Sequence, residues 1–385
     1  MKHLLFALLL LISVLNGTTQ NTATFNTPYY WLKEARSKAA TNDTTGCLSS
    51  IDKAIQAGLF DSSIITGSKT FARILSQQQK ASFIQKILFN RSQIATSSSI
   101  QLITEDIDRF WQWYPAINNA DADAVFMKEY IEKGSKGLQT FFQIRMNNSL
   151  EAFIKKIRSS QLFYNSIREA STQFTTMRPQ FIVAANQLEN IYPESVFPPV
   201  YFLIGNLNNV GTADGYAGLL IGTEHLCRHQ HIDTSQLTVI DKMVLFDTAL
   251  AVPLIVHEYV HFQQKNKPEQ TLLELSIMEG VADFITYLIT GKYTNPEVYQ
   301  YGFSNEAKLW TDFSKTMNRE NIDAWLFNAY DPQTGYPGNL GYFVGFRICE
   351  SYYNRSADKS TAIKELIEIK DFNRILTVSG YKGGE

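Results

Sequence analysis

One short stretch of the sequence carries residue types that could bind a metal ion and move a proton. Residues 253–261 read PLIVHEYVH and contain the pattern H-E-x-x-H. On a helix, His257 and His261 project from one face about 6 Å apart along the axis, so both rings can bind one Zn²⁺. Glu258 lies beside the first histidine, where it can take a proton from a metal-bound water. The motif therefore predicts a metal centre that performs hydrolysis.

A third ligand distinguishes the classes of zinc enzyme that carry this motif. A metzincin would place Gly and His at positions 264 and 267, but the sequence has Gln264 and Lys267, which excludes that class. A gluzincin takes a glutamate from a following helix, and the helix predicted over residues 269–290 contains Glu279. Asp283 lies one turn beyond Glu279, where it can accept the second ring N–H of a ligand histidine.

A second group of metal-binding residue types occurs at His225, Cys227, His229 and His231. Their alternation would put all four on one face of a strand, which could hold a second metal ion. No fixed geometry follows from the spacing, so a polar loop is the preferred interpretation and the role of the group is left open.

The composition is that of a globular protein, with 385 residues, 44% apolar and 19% charged. This length is enough for two domains. A net charge of −2, without long runs of one sign, lacks the basic excess that is typical of nucleic-acid binders. The three cysteines, Cys47, Cys227 and Cys349, allow at most one disulfide, and the sequence does not decide whether it forms.

The beginning of the chain has the pattern of a secretory signal peptide. The run from Leu4 to Leu15 is apolar except for Ser13, which is shorter than the roughly 20 residues that a membrane-spanning helix needs. We therefore expect residues 1–19 to be removed, leaving a secreted or periplasmic chain without a membrane span. An uncleaved anchor is the alternative, and no nearby cysteine is available for lipid attachment.

The rest of the chain predicts an α+β protein that is predominantly helical. Short β-branched and aromatic runs predict strands at 200–204 and 219–222, separated by a turn-rich loop. The predicted segments are a small helical segment with one tetratricopeptide-like hairpin over 20–78, a helical region over 79–195, and a zincin-like metallopeptidase domain over 196–385. In that last domain a small sheet accompanies the H-E-x-x-H helix and the glutamate helix.

These motifs resemble those of gluzincin metallopeptidases, whose second helix carries Glu-x-x-x-Asp, here Glu279 to Asp283. The chain is also similar to a family of predicted secreted zinc-dependent proteases of unknown function, which includes relatives of a gliding-motility lipoprotein. The sequence motifs on which this resemblance rests are ITEDIDRFW at 103–111, GSKGL at 134–138, GLLIG at 218–222, the His257 motif, Glu279-Gly280 and GYFVG at 341–345.

The resemblance to gluzincins implies two further parts of a peptidase. One is a strand edge that a substrate peptide joins as an added strand, for which Leu219, Leu220 and Ile221 are the candidates. The other is a donor to the tetrahedral oxyanion, for which Tyr342 is the candidate. Its flanking glycines, four residues apart, could instead simply let two helices pack closely.

The preferred interpretation is a secreted zinc peptidase that acts on a peptide or protein substrate. Zn²⁺ is held by His257, His261 and Glu279, and Glu258 is the general base for a metal-activated water. The alternative is a non-catalytic accessory or binding protein of the envelope or the exterior, related to gliding or secretion, in which any metal is structural. The presence of Glu258 favours the enzyme, because a structural site does not need a base.

Overall fold

A computed structural model describes residues 25–265, 270–328 and 336–384. The predicted signal peptide at 1–19 lies outside these residues. Within the described ranges, no helix has both the length and the apolar character needed to cross a membrane. All three cysteines fall in the described part, where each is buried and without a disulfide bond.

Most of the described chain is helical, and the remainder includes one small sheet, which confirms the prediction of a predominantly helical α+β protein. In the first half, the helices are α1 Pro28–Ala40, α2 Thr44–Gln56, α3 Ser63–Thr66, α4 Lys69–Ile74, α5 Gln77–Ser92, α6 Glu105–Trp113, α7 Ala122–Val125, α8 Lys136–Ile144, α9 Leu150–Ser159, α10 Gln161–Thr172 and α11 Arg178–Ile191. The strands are β1 Leu102–Ile103, β2 Val200–Leu203, β3 Gly211–Asp214 and β4 Gly218–Gly222.

After β4, the elements of the described residues are helices. They are α12 Val239–Met243, α13 Ala251–Gln263, α14 Leu272–Thr290, α15 Pro296–Ser304, α16 Glu306–Ser314, α17 Leu340–Arg355, α18 Lys359–Ile367 and α19 Phe372–Ser379. Short 3-10 turns lie at Ser97–Ser99, Tyr114–Asn118, Gln173–Thr176, Thr223–Leu226 and Thr248–Leu250, and a π-helical turn lies at Phe126–Glu132.

The described residues form two compact units. The sheet unit comprises residues 25–179 and 196–248, and the helical unit comprises residues 180–195 and 249–384. The sequence predicts that the strands and the H-E-x-x-H helix belong to one segment, 196–385. The structure instead assigns β2 to β4 to the sheet unit and α13 and α14 to the helical unit.

The sheet has the strand order β1-β2-β4-β3, in which only the β3–β4 pair is antiparallel. Strand β3 lies inside the predicted loop. The sequence did not predict it because GTAD has no apolar alternation, and its strand conformation comes from pairing with β4. Strand β4 pairs with β2 on one side and β3 on the other. The prediction of a free edge at Leu219, Leu220 and Ile221 is therefore wrong, since an added peptide strand needs an unpaired edge.

The predicted helical hairpin near the start of the chain is present as α1 and α2. Apolar residues at helical spacing, including Leu32, Ala35 and Ile51, are fully buried in a core shared with α4 and α5. Thr27 and Asp43 cap the two helices by accepting hydrogen bonds from first-turn backbone N–H groups. The apolar residues at helical spacing that predict this hairpin are thus the residues that form its small hydrophobic core.

In the helical unit, α14 packs against both α13 and α17. A capping box of Thr271 and Glu274 begins α14, and Gly291 ends it in the left-handed region at φ 66°. A Cβ atom added to Gly280 would lie 2.1 Å from the carbonyl carbon of Gly345, so the α14 and α17 backbones touch at this point. This contact agrees with the alternative interpretation of the glycines that flank Tyr342, because Gly345 lets two helices pack closely, and it fixes the part of α14 that carries Glu279.

Candidate metal centre

Helix α13 places His257 and His261 one turn apart with their rings turned toward each other. The two Nε2 atoms are 3.0 Å apart, and the ring centroids are 4.7 Å apart. Only 3% of the surface of His257 is exposed. The spacing of four residues therefore brings two imidazole nitrogens to one buried point, as the sequence predicted.

Glu279 approaches the same point from α14. Its Oε2 atom lies 3.3 Å from Nε2 of His257 and 3.3 Å from Nε2 of His261. Zinc–nitrogen and zinc–oxygen bonds of the usual length in a tetrahedral site separate neighbouring ligand atoms by about 3.3 Å. The three side chains thus have the spacing of zinc ligands.

Asp283 fixes the ring of His257 from behind. The ring Nδ1 atom is 2.8 Å from Oδ1 of Asp283, and the same oxygen accepts a hydrogen bond from the Thr294 hydroxyl at 2.7 Å. The second carboxylate oxygen accepts a hydrogen bond from the Tyr299 hydroxyl at 2.5 Å. Since an ionised carboxylate only accepts, Nδ1 of His257 carries a proton, and Nε2 is the nitrogen that presents a lone pair when the ring is neutral.

Gln264 has the same effect on His261. Its Oε1 atom is 2.8 Å from Nδ1 of the ring, and its Nε2 group donates to the carbonyl of Met278 at 2.8 Å. The bond to the carbonyl requires the NH₂ end of the amide to point toward Met278, which leaves the oxygen for the histidine. His261 therefore also carries its proton on Nδ1 and presents a lone pair at Nε2.

With both rings neutral, three hydrogen-bond acceptors face one another: the two Nε2 atoms and Oε2 of Glu279. Among the described residues, Oε2 of Glu279 is buried and has no hydrogen-bond partner. Converging acceptors repel one another unless a cation lies between them. Two neutral imidazoles and one carboxylate match the donor set of catalytic zinc sites, so the residues fit a zinc ion.

The charges around the site favour a positive species. Burial lowers the pKa of His257, but its hydrogen bond to Asp283 and the charges of Asp283 and Glu279 outweigh burial and hold that pKa well above its usual range. Burial raises the pKa of Glu279, yet the positive charge favoured on the two histidines, whose Nε2 atoms lie 3.3 Å from its carboxylate, lowers it overall to about 2. A positive charge is therefore favoured at this point, and without a metal it is a proton on the histidines, which a metal ion would displace.

Glu258 and Tyr342 lie close to these ligands. The Tyr342 ring stacks on the His257 ring, with centroids 6.2 Å apart and planes inclined by 24°. Burial and the carboxylates of Glu279, Asp283 and Glu258 raise the pKa of Tyr342 well above its usual range, so its hydroxyl stays protonated. Glu258 is 8% exposed, and its charge also contributes to the raised pKa of His261.

The structure does not gather the second histidine group into a metal site. Across the described ranges, the only cluster of three or more potential ligands within metal-binding distance is His257, His261 and Glu279. Nδ1 of His225 pairs with the carbonyl of Val244, and Nε2 of His229 pairs with the carbonyl of Ser166. Both rings therefore make ordinary structural hydrogen bonds.

Sequence reasoning missed Gln264, Thr294 and Tyr299, the residues that orient His261 and Asp283. Gln264 is three residues after His261, a spacing at which side chains meet on a helix, so this partner had a detectable signal. Thr294 and Tyr299 follow the glycine that ends α14, and their approach to Asp283 depends on how the chain folds back. No spacing rule covers such a contact.

Fold and site together define a predominantly helical α+β protein with a candidate metal centre built from two neighbouring helices. Residues 90–383 match the family described as Gliding motility protein GldB, which is more than half of the chain. The chain therefore belongs to that family. The matched region contains every residue of the candidate metal centre, whereas α1 to α4 lie before it. Neither a curated protein nor a solved structure matches the chain.

Proposed function

We propose that this member of the gliding-motility family is a zinc-dependent peptidase. The observation that carries the proposal is the convergence of three acceptor atoms, from His257, His261 and Glu279, at spacings of 3.0 to 3.3 Å. Asp283 and Gln264 favour a proton on Nδ1 of each histidine ring, which leaves the facing Nε2 atoms available to a metal. Glu258 beside this set favours hydrolysis over a purely structural metal.

A zinc ion bound here would supply Lewis-acid chemistry, lowering the pKa of a water molecule and polarising a peptide carbonyl. Glu258 takes the proton from the attacking water and passes it to the leaving amine. Tyr342, whose raised pKa keeps its hydroxyl protonated, donates a hydrogen bond to the oxyanion that develops on the substrate. Asp283 stabilises the tautomer of His257 throughout.

The family match favours a second candidate function, a non-catalytic protein related to gliding motility. The description of the family names motility and no reaction. In this account the chain acts by binding an envelope or extracellular partner, and the metal only stabilises the helical unit. The location expected in both cases is outside the cytoplasm, in the periplasm or the exterior.

The substitution Glu258→Gln separates the two candidates, because it keeps the shape of the side chain and removes the base. The purified wild type should cleave members of a peptide library. The variant should retain zinc and lose about 100-fold or more of that activity. His257→Ala serves as the control that removes the metal. Motility that needs His257 but tolerates Glu258→Gln would support the non-catalytic function instead.

A further inference from the structure

Gln264 is the first residue after α13, and its side chain connects two helices at the candidate metal centre. Its oxygen lies 2.8 Å from Nδ1 of His261, and its NH₂ group donates to the carbonyl of Met278 at 2.8 Å. Met278 directly precedes Glu279 in α14. A single amide therefore touches one histidine of α13 and the backbone beside the glutamate of α14.

The amide can satisfy both partners in one orientation only. If it were turned over, its NH₂ group would face Nδ1 and its oxygen would face the Met278 carbonyl, which is also an acceptor. The ring of His261 would then have to accept at Nδ1 and carry its proton on Nε2. That proton would point at His257 and Glu279, where the metal is expected.

We infer that Gln264 is a positioning residue, whose side-chain oxygen holds His261 in the tautomer that leaves Nε2 free for a metal. The inference rests on the proposed zinc site and extends it to a residue outside the ligand set. Asp283 performs this task for His257 with a charged group. Gln264 holds the tautomer of His261 with a neutral amide, so the hydrogen bond at Nδ1 is charged for one ring and neutral for the other.

A merely structural role must be distinguished, because Gln264 also ends the helix. Its backbone N–H donates to the carbonyl of Val260, and a substitution of the side chain leaves that bond in place. The neighbouring Lys265 offers a matched control. Its amine pairs with Glu194 at 2.9 Å and Glu368 at 2.7 Å, away from the histidine ring.

The experiment compares the wild type with Gln264→Met, Gln264→Glu and Lys265→Ala in the full mature chain. Gln264→Met keeps the length of the side chain and removes both hydrogen bonds, whereas Gln264→Glu keeps an acceptor for the ring. Zn²⁺ affinity is measured by competition with a chelator. The Nδ1–H proton of His261 is followed by NMR in the zinc-loaded protein.

We expect Gln264→Met to lose about 10- to 100-fold in zinc affinity and to lose the protected Nδ1–H signal. Gln264→Glu should recover most of that affinity and restore the signal, and Lys265→Ala should match the wild type. The inference is overturned if Gln264→Met binds zinc as tightly as the wild type, or if Gln264→Glu is as weak as Gln264→Met. Failure of the wild type to bind any zinc would instead reject the proposed function.

Discussion

The Nε2 atoms of His257 and His261 face each other at 3.0 Å, while Nδ1 of each ring lies 2.8 Å from an acceptor oxygen, of Asp283 and of Gln264 respectively. Two acceptors do not form a hydrogen bond with each other, so this approach is unfavourable without a positive charge between them. Glu279 adds a third acceptor at the same point. With neutral rings the arrangement favours a cation between these three side chains.

Removing the metal should lower the thermal stability of the protein. Zinc that binds the folded chain and not the unfolded chain stabilises it by about 4 kcal/mol when its free concentration is a thousandfold above Kd. We expect a chelator to lower the melting temperature of the wild type and added zinc to restore it. His261→Ala should show neither response. A wild-type melting temperature that changes neither with the chelator nor with added zinc would contradict a metal bound at this point.

Asp283→Asn should weaken zinc binding by about 10- to 100-fold, because the carboxylate is the acceptor that fixes the tautomer of His257. Tyr299→Phe should have a smaller effect, since it removes one donor to Asp283 and leaves the carboxylate charge in place. Zinc affinities of both variants measure the difference. Equal affinity of Asp283→Asn and wild type would show that Asp283 does not support the ligand.

Gly280→Ala should destabilise the helical unit by about 1–3 kcal/mol, because the added Cβ would lie 2.1 Å from a backbone atom of Gly345. In an exposed helix the same change would instead stabilise by about 1 kcal/mol. Urea unfolding measures the effect. Ser276→Ala, which removes a buried hydroxyl without a hydrogen-bond partner among the described residues, is the control and should not destabilise. A Gly280→Ala variant as stable as wild type would reject the close contact.

Asp214 should make the stability of the sheet unit depend on pH. Burial raises the pKa of its carboxyl to about 6 in the folded chain, although Tyr216 and Ala217 donate backbone hydrogen bonds to it. The folded state therefore binds the proton more tightly than the unfolded state. The stabilising contribution of the Asp214 proton therefore falls by up to about 3 kcal/mol as pH rises from about 4 to about 6, and it changes no further above that range.

The variant Asp214→Asn removes this titration and keeps an acceptor for the two backbone groups. Its unfolding free energy should therefore increase relative to wild type across that pH window and remain higher above it. Urea unfolding at pH 4.5, 5.5 and 7.5 gives the comparison, with about 3 kcal/mol as the upper limit of the change. If the unfolding free energies of variant and wild type differ by the same amount at all three pH values, the raised pKa of Asp214 is contradicted.

The sequence was sufficient to predict the residues whose positions depend on helical spacing. His257, His261, Glu279 and Asp283 lie at intervals of four residues within their helices, and the structure brings these side chains together. The capping residues and the glycine at the end of α14 also have local signals. Such features depend on a few neighbouring residues, which a sequence displays directly.

The features that the sequence did not predict depend on contacts between distant segments. Strand β3 has a turn-like composition and becomes a strand only through its pairing with β4. The same pairing places β4 inside the sheet, which overturned the edge prediction for Leu219 to Ile221. Thr294 and Tyr299 reach Asp283 because the chain returns after α14, and nothing in their spacing indicates that return.

The most direct test is the zinc content of the purified chain from residue 20 onward, measured by elemental analysis after dialysis against buffer treated to remove metals. The account predicts one zinc ion per chain in the wild type and in Glu258→Gln, and none in Glu279→Ala or His257→Ala. Wild-type protein without stoichiometric zinc, or zinc retained in full by both ligand variants, would contradict the claim that these three side chains form a metal centre.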